Sequence, residues 1–202
     1  MDVVHSSICK RVALFLATSL TGLACLAEEG PRYTYVEAAY SQVDFDNFNN
    51  ADGDQFGVGG SLALTDMVHL FGSYAAGEVD AGRNGPSIDT TSAAAGIGLN
   101  YAVEPTIDVI GRVSYVYAKA EAGNFDVDDS GLGLSVGVRA MIRPNIELNG
   151  DINYVDFGDS SDTSLDLGAV FNFTEIIAMT VGASFGEDIT SYGIGVRAYL
   201  GK

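Results

Sequence analysis

Three arginines and five carboxylates are the residues of this 202-residue chain whose types and spacing are best suited to chemistry. Each falls between apolar neighbours in a segment of alternating polarity: Glu37, Asp108, Arg112, Arg139, Glu147, Asp151, Asp166 and Arg197. Guanidinium groups bind carboxylates in bidentate geometry, and an unpaired charge in a confined interior is costly. We therefore predict a salt-bridged network of these side chains that fills and braces the interior of the protein.

The same side chains allow a second interpretation, a narrow channel. Carboxylates outnumber arginines in the set, so they would attract positive solutes into a water-filled path. The interiors of small barrels, however, are already filled by side chains. Glycines on the same polar face as these charges would either leave a gap in such an interior or make room for large side chains there, namely Tyr33, Tyr35, Phe71 and Tyr199. A filled interior and a porin-like channel for small cationic solutes both stay open at this point.

Catalytic chemistry has little support in the sequence. His69 is the only histidine beyond residue 27, and neither a general base without a neighbouring acid or nucleophile nor a single metal ligand makes a site. Ser73, Ser114 and Ser184 lie on predicted strands without an adjacent histidine. We expect no enzyme activity, no cofactor, and a structural hydrogen-bonding role for His69.

Ten segments with an apolar residue at every second position must place these side chains. A period of two puts alternate side chains on opposite faces of a strand. One face is apolar in every segment and the other is polar, which is typical of a transmembrane β-barrel. The predicted strands are 32–43, 55–64, 67–77, 92–102, 106–118, 131–141, 146–155, 163–173, 176–186 and 190–200. The predicted fold is all-β, an antiparallel up-and-down barrel with ten strands, or eight as the alternative.

The connections between the predicted strands alternate between tight turns and mostly longer, acidic loops. The longer ones are 44–54, 78–91, 119–130 and 156–162, with a brief 187–189. Short periplasmic turns and longer outer loops are the known asymmetry of bacterial barrels. The first interpretation of these loops is a solvated acidic surface, and the alternative is diffuse binding of divalent cations that bridge to lipopolysaccharide phosphates. The chain has 27 acidic and 10 basic residues and a net charge of −17, which argues against nucleic acid as a partner.

Residues 1–27 have the pattern of a secretory signal peptide. Lys10 and Arg11 precede an apolar run, and Cys25-Leu-Ala27 resembles a cleavage site. The run is too short for a membrane-spanning helix. Both cysteines, Cys9 and Cys25, lie within residues 1–27, so the expected mature chain, 28–202, is one barrel domain without disulfides. We expect secretion through the inner membrane and location in the outer membrane.

The predicted barrel resembles the small outer-membrane β-barrel proteins of Gram-negative bacteria, the broad family of the OmpA transmembrane domain and OmpX. The resemblance runs from Tyr33-Thr-Tyr-Val-Glu-Ala-Ala-Tyr40 to Gly195-Val-Arg-Ala-Tyr199. Segment 191–200 is similar to the amphipathic last strand that the outer-membrane assembly machinery reads, although the chain ends in Leu200-Gly-Lys202. The resemblance implies a non-enzymatic integral membrane protein with a structural or surface-interaction role. Its implied partners are outer-membrane lipid, lipopolysaccharide and the assembly machinery.

Overall fold

The computed structural model describes residues 30–45, 51–80, 87–123 and 125–201. The predicted signal peptide and its boundary after residue 27 lie outside these residues. Ten antiparallel strands form one closed ring in which each strand pairs with the next and β10 pairs with β1. The strands are β1 (Tyr35–Phe45), β2 (Asp52–Ala63), β3 (Val68–Asp80), β4 (Ser87–Glu104), β5 (Ile107–Ala122), β6 (Phe125–Arg143), β7 (Ile146–Asp156), β8 (Ser161–Asn172), β9 (Ile177–Phe185) and β10 (Ile189–Tyr199). This confirms the ten-strand barrel, and the eight-strand alternative is wrong. Within the described ranges, no helix is long and apolar enough to cross a membrane.

The middle of each strand presents the predicted apolar face to the outside. On β6, Leu134 and Val136 are 53 % and 65 % exposed, whereas Arg139 on the other face is 1 % exposed. Aromatic side chains lie near both ends of the apolar band, with Tyr40 and Phe56 opposite each other at one end and Tyr101 exposed at the other. Apolar side chains bounded by aromatic rings suit contact with a bilayer.

The strands β3 to β6 are longer than predicted at the end of the barrel that has the longer connections, which we call the extracellular side because longer loops are on that side in bacterial barrels. Most of the predicted loops 78–91 and 119–130 is strand, and the β5–β6 ladder continues to the pair Ala122–Phe125. β6 has 19 residues, whereas about 9–11 residues are enough to cross a bilayer. The described strand ends therefore rise above the membrane. We call them the extracellular wall, and it consists of residues 77–80, 87–91, 119–122 and 125–131.

In the extracellular wall the apolar side chains face inward and the polar side chains face outward, which is the reverse of the arrangement in the membrane part. Val79 and Ile88 are buried on its inner face, while Glu78, Asp89 and Glu121 are exposed on its outer face. Outside the bilayer the outer face meets water, and the inner face packs against other side chains. A prediction that requires an apolar outer face consequently ends each strand at the membrane boundary, which is why these loops were predicted wrongly.

An apolar cluster fills the extracellular end of the lumen. Its buried members come from β1, β3, β4, β5, β10 and the residue before β2, and we call the cluster the apolar seal: Val43, Phe45, Ala51, Val79, Ile88, Ala118, Ala120 and Ile189. A second buried group, Ala94, Val116 and Val155, adjoins it through Phe157, which packs against both. The interior is therefore polar only in its membrane part, and the expectation of a polar interior is wrong at the outer end.

Candidate functional site in the barrel lumen

The structure places all eight predicted network residues on the inner wall of the barrel. Six are at most 7 % exposed, and Glu37 and Asp166 are half-buried. Each of them occupies the strand face opposite to the lipid-facing side chains, because the period of two is kept through the membrane part of every strand. The three arginines each bind a different carboxylate, so the charges form separate groups.

Arg139 and Glu147 form the most deeply buried ion pair. Nε of Arg139 donates to Oε1 of Glu147 at 2.8 Å, and Nη2 donates to Oε2 at 3.2 Å. The guanidinium also lies 4.4 Å from the ring centre of Tyr33, whose hydroxyl donates to Oδ2 of Asp108 at 2.7 Å. Burial raises the pKa of the Tyr33 phenol above its ordinary value, so the hydroxyl stays a donor. Asp108 is therefore held by a neutral phenol.

Arg197 and Glu37 form an ion pair across the strands that close the ring. The two residues lie directly opposite each other in the β1–β10 ladder. Nε of Arg197 donates to Oε2 of Glu37 at 2.8 Å, and Nη2 contacts the same oxygen. The hydroxyl of Thr180 donates to the other carboxylate oxygen at 3.1 Å, and the Arg197 guanidinium lies 3.8 Å from the ring centre of Tyr35. This group fastens β1, β9 and β10 together inside the barrel.

The third ion pair joins strands that are not neighbours. Nη1 of Arg112 on β5 donates to Oδ1 of Asp151 on β7 at 2.7 Å. Asp166 lies directly opposite Asp151 in the β7–β8 ladder. In the described part of the chain, Asp166 has neutral donors only: the hydroxyl of Ser184, and Nδ2 of Asn153 at 2.9 Å. Of these two facing carboxyl groups, Asp151 is therefore bound by an arginine and Asp166 by two neutral side chains.

His69 is packed as a structural residue. It is 2 % exposed, and its ring stacks on Tyr33 with the ring centres 4.7 Å apart. Nδ1 of His69 lies 3.3 Å from Oδ1 of Asn100, whose Nδ2 donates to the carbonyl oxygen of Asp66 at 2.8 Å. Among the described residues, no three His, Cys, Asp or Glu side chains are arranged to hold a metal ion.

Inward glycines make room for large neighbours. A Cβ at Gly96 would lie 2.7 Å from Cζ of Phe71, and a Cβ at Gly98 would overlap the ring of His69. Cavities beside the ion pairs have volumes of about 70, 20 and 10 Å³. Such volumes hold one or a few waters. A larger space of about 550 Å³ lies at the periplasmic mouth, lined in part by Tyr33 and Asp108.

Replacing Gly98 by alanine should destabilise the barrel, because the new methyl group would push the His69 ring away from Tyr33 and Asn100. We expect the free energy of unfolding to fall by about 1–3 kcal/mol, the usual cost of overpacking. Equilibrium unfolding of the refolded barrel in urea measures it. The control is Gly111→Ala, where a Cβ meets no heavy atom within 4 Å. Equal losses at the two positions would contradict this description of the lumen packing.

Several partners of the network were not predicted. Thr180 and Ser184 face inward by the same parity rule that identified the charged residues and Asn153, so that rule could have placed them in the lumen. Tyr33 was predicted inside the first strand, 32–43, as an aromatic side chain that could fill the lumen, whereas the structure begins β1 at Tyr35 and places Tyr33 ahead of it. Its role as the partner of Asp108 had no sequence signal beyond its aromatic character.

The sequence matches the family model for the outer membrane protein beta-barrel domain over residues 13–173. No curated protein sequence matches the chain. The translocator domain of the autotransporter NalP from Neisseria meningitidis is a similar solved structure, with 12 % identity, coverage of 98 % of this chain and 97 % of that one, and a TM-score of 0.54.

Two further solved structures are less similar. The transport unit of the autotransporter AIDA-I from Escherichia coli has 11 % identity, covers 95 % of this chain and 98 % of that one, and has a TM-score of 0.49. The outer membrane protein OprG from Pseudomonas aeruginosa has 12 % identity, covers 87 % and 100 %, and has a TM-score of 0.47. The family model spans well over half of the sequence and describes the fold observed here. The chain belongs to the outer membrane protein beta-barrel domain family.

Proposed function

We propose that this protein is a closed, non-enzymatic outer-membrane barrel with a structural or surface-interaction role. The observation that carries the proposal is the double closure of its lumen. Buried ion pairs of Arg112, Arg139 and Arg197 occupy the membrane part, and the apolar seal occupies the extracellular end. The cavities beside the ion pairs hold one or a few waters, so the described part of the lumen offers little room for a hydrated solute.

Opening this lumen would require charged groups to separate without access to bulk water. Arg139, Arg197 and Glu147 are at most 1 % exposed. Removing one partner from a buried ion pair costs several kcal/mol because the remaining charge stays desolvated. The seal adds contacts between apolar side chains, which a water-filled path would also have to disrupt. The cost of separating the ion pairs and the cost of disrupting the apolar contacts both favour a closed interior.

The extracellular wall is the surface that we propose for interactions. β6 pairs with β5 from Phe125 onward, but its ladder with β7 begins only at the pair Leu132–Asp156. In the described residues, segment 125–131 is paired on its β5 side only, and its other edge is about 23 Å long at the usual rise per residue. Exposed edges of this kind accept an added strand. Asp126 and Asp128 lie on the outer face of this edge, where Nζ of Lys119 is 3.2 Å from Oδ2 of Asp126. The face keeps a net negative charge, which would favour a positively charged partner.

The membrane partners follow from the same surfaces. Outer-membrane lipid would cover the apolar band, and lipopolysaccharide would lie against its extracellular edge. On the outer face of the wall, Glu78, Asp89 and Glu121 are consecutive cross-strand neighbours. Lys119 binds Glu121 at 2.9 Å, whereas Glu78 and Asp89 face each other directly. Like charges directly opposite each other are destabilising, so diffuse divalent cations between this row and lipopolysaccharide phosphates would lower the repulsion.

Planar-bilayer recording tests the proposed function. The refolded protein, shown by heat-modifiable gel mobility to be a closed barrel, should insert without producing current steps. Insertion is checked separately by flotation with liposomes, so that silence is not mistaken for absence of the protein. Steady cation-selective steps would overturn the closed barrel and favour the narrow channel for small cationic solutes.

A further inference from the structure

We propose that residues 30–34, the segment ahead of β1, form a strap that closes the periplasmic mouth of the barrel and keeps periplasmic water out of the adjoining part of the lumen. We call this segment the periplasmic strap. The proposal concerns only the periplasmic end, so it holds independently of the proposed function.

Arg32 anchors the strap to the side of the ring that contains β8 to β10. Nη1 of Arg32 donates to the carbonyl oxygen of Glu175 in the β8–β9 turn at 2.8 Å, and Nη2 donates to the carbonyl oxygen of Gly201 at 2.9 Å. Its guanidinium lies 4.5 Å from the ring centre of Tyr199 on β10. One side chain thus joins the strap to a turn and to the end of the last strand.

Tyr33 carries the strap across to the opposite wall. In a ring of ten strands β6 lies diametrically opposite β1, and Arg139 of β6 lies over the Tyr33 ring. Tyr33 also contacts β5 through its hydrogen bond to Asp108 and β3 through its stacking on His69. The strap therefore spans the opening.

The start of the strap reaches the β4–β5 turn. A Cβ at Gly30 would lie 3.1 Å from the carbonyl oxygen of Pro105, and the φ angle of Gly30 is +142°. Glycine suits both this close approach and this backbone conformation. The strap is thereby in contact with elements on both sides of the periplasmic mouth.

Tyr33 separates two spaces. It lines the space of about 550 Å³ at the periplasmic mouth, which we call the vestibule. It also lines the internal cavity of about 10 Å³ beside Ser61, His69 and Arg112. Ser61 is 8 % exposed, and its hydroxyl oxygen has no hydrogen-bond partner among the described residues. Displacing the Tyr33 ring would connect the cavity to the vestibule and would hydrate this hydroxyl.

Residues 30–33 of the strap can move without breaking the barrel. The β1–β10 ladder begins at Tyr35, so residues 30–34 lie outside it. Thr34 makes the connection at the boundary: its carbonyl oxygen accepts from N of Leu200 at 3.1 Å, and its hydroxyl oxygen accepts from N of Ala63 at 3.1 Å. Release of Arg32 and Tyr33 would therefore cost side-chain contacts while the ladders stay intact. Local opening of this kind is less costly than global unfolding.

Cysteine accessibility tests the strap. Ser61→Cys is introduced into the full chain with Cys9 and Cys25 replaced by serine, and the folded protein is exposed to a small charged methanethiosulfonate. We expect slow labelling with the intact strap and labelling that is about tenfold faster or more in the double variant Arg32→Ala, Tyr33→Ala, because local opening then needs fewer contacts to break. Tyr33→Phe keeps the ring and should label nearly as slowly as the parent.

Two controls separate strap release from general loosening. Arg143→Ala removes an exposed cation from the end of β6 and should leave the rate unchanged. A cysteine at Ala120, which is 0 % exposed inside the apolar seal, should stay protected in every strap variant. Equal labelling of Ser61→Cys with and without the strap side chains would overturn the proposal. Faster labelling at both positions would also overturn it, since the whole barrel would then have loosened.

Discussion

Arg139→Leu should lower the free energy of unfolding of the barrel by about 3–5 kcal/mol. The substitution leaves Glu147, which is 0 % exposed, without its bidentate partner, and it also removes the cation above the Tyr33 ring. The desolvated carboxylate must then stay charged at high cost or take up a proton. Equilibrium unfolding of the refolded protein in urea, at fixed lipid composition, measures the loss.

Two matched variants identify the origin of this loss of stability. Arg143→Leu removes an exposed arginine from the same strand, and we expect a change within about 0.5 kcal/mol. The double variant Arg139→Leu, Glu147→Leu removes both charges of the pair, and it should recover most of the lost stability because neither charge then stays buried without its partner. An Arg139→Leu protein as stable as the parent would show that the lumen ion pairs do not brace the barrel.

Val136→Arg should destabilise the inserted barrel by about 2–4 kcal/mol, the cost of a cation at the middle of the bilayer. Val136 is 65 % exposed on the outer face of β6, with Val113 and Leu134 of the apolar band nearby in the β5–β6 ladder. The arginine would have to extend toward an interface or draw water into the hydrocarbon region. Reversible unfolding from lipid vesicles gives the free energy.

Ser130→Arg is the matched control for this position. Ser130 is exposed on the same face of the same strand, opposite Tyr117 near the extracellular edge of the apolar band. We expect a cost of about 0–1 kcal/mol there, because charges are tolerated near the interface. Equal costs at 130 and 136 would mean that Val136 does not face the bilayer interior, and the faces assigned to β6 would be inverted.

The membrane part of the fold could be predicted from the sequence because lipid requires one apolar face throughout. Leu134 and Val136 alternate with inward Ser135 and Gly137, and the strand follows directly from that period. The extracellular wall could not be predicted in the same way. Around Val79 and Ile88 the apolar residues point inward. The alternation therefore continues once the strand leaves the bilayer, but its apolar positions then mark the inner face instead of the outer one.

The inward position of the network residues could also be predicted from parity, but their pairing could not. Glu37 and Arg197 are direct cross-strand partners, whereas Arg112 on β5 reaches Asp151 on β7 past the intervening strand β6. Which inward groups meet depends on the register, the tilt of the strands and the curvature of the wall, and a period of two contains none of these quantities. Tyr33 enters the lumen from a segment outside the sheet, so its contacts required the folded chain.

Planar-bilayer recording across a potassium chloride gradient tests the closed lumen most directly. Both the ion pairs and the apolar seal lie on any path through the barrel, so a protein shown to be folded and inserted should produce no steps at either polarity. A silent bilayer is the predicted result. Reproducible steps with a cation-selective reversal potential would contradict the closed lumen, because ions would then be passing the buried Arg139–Glu147 pair.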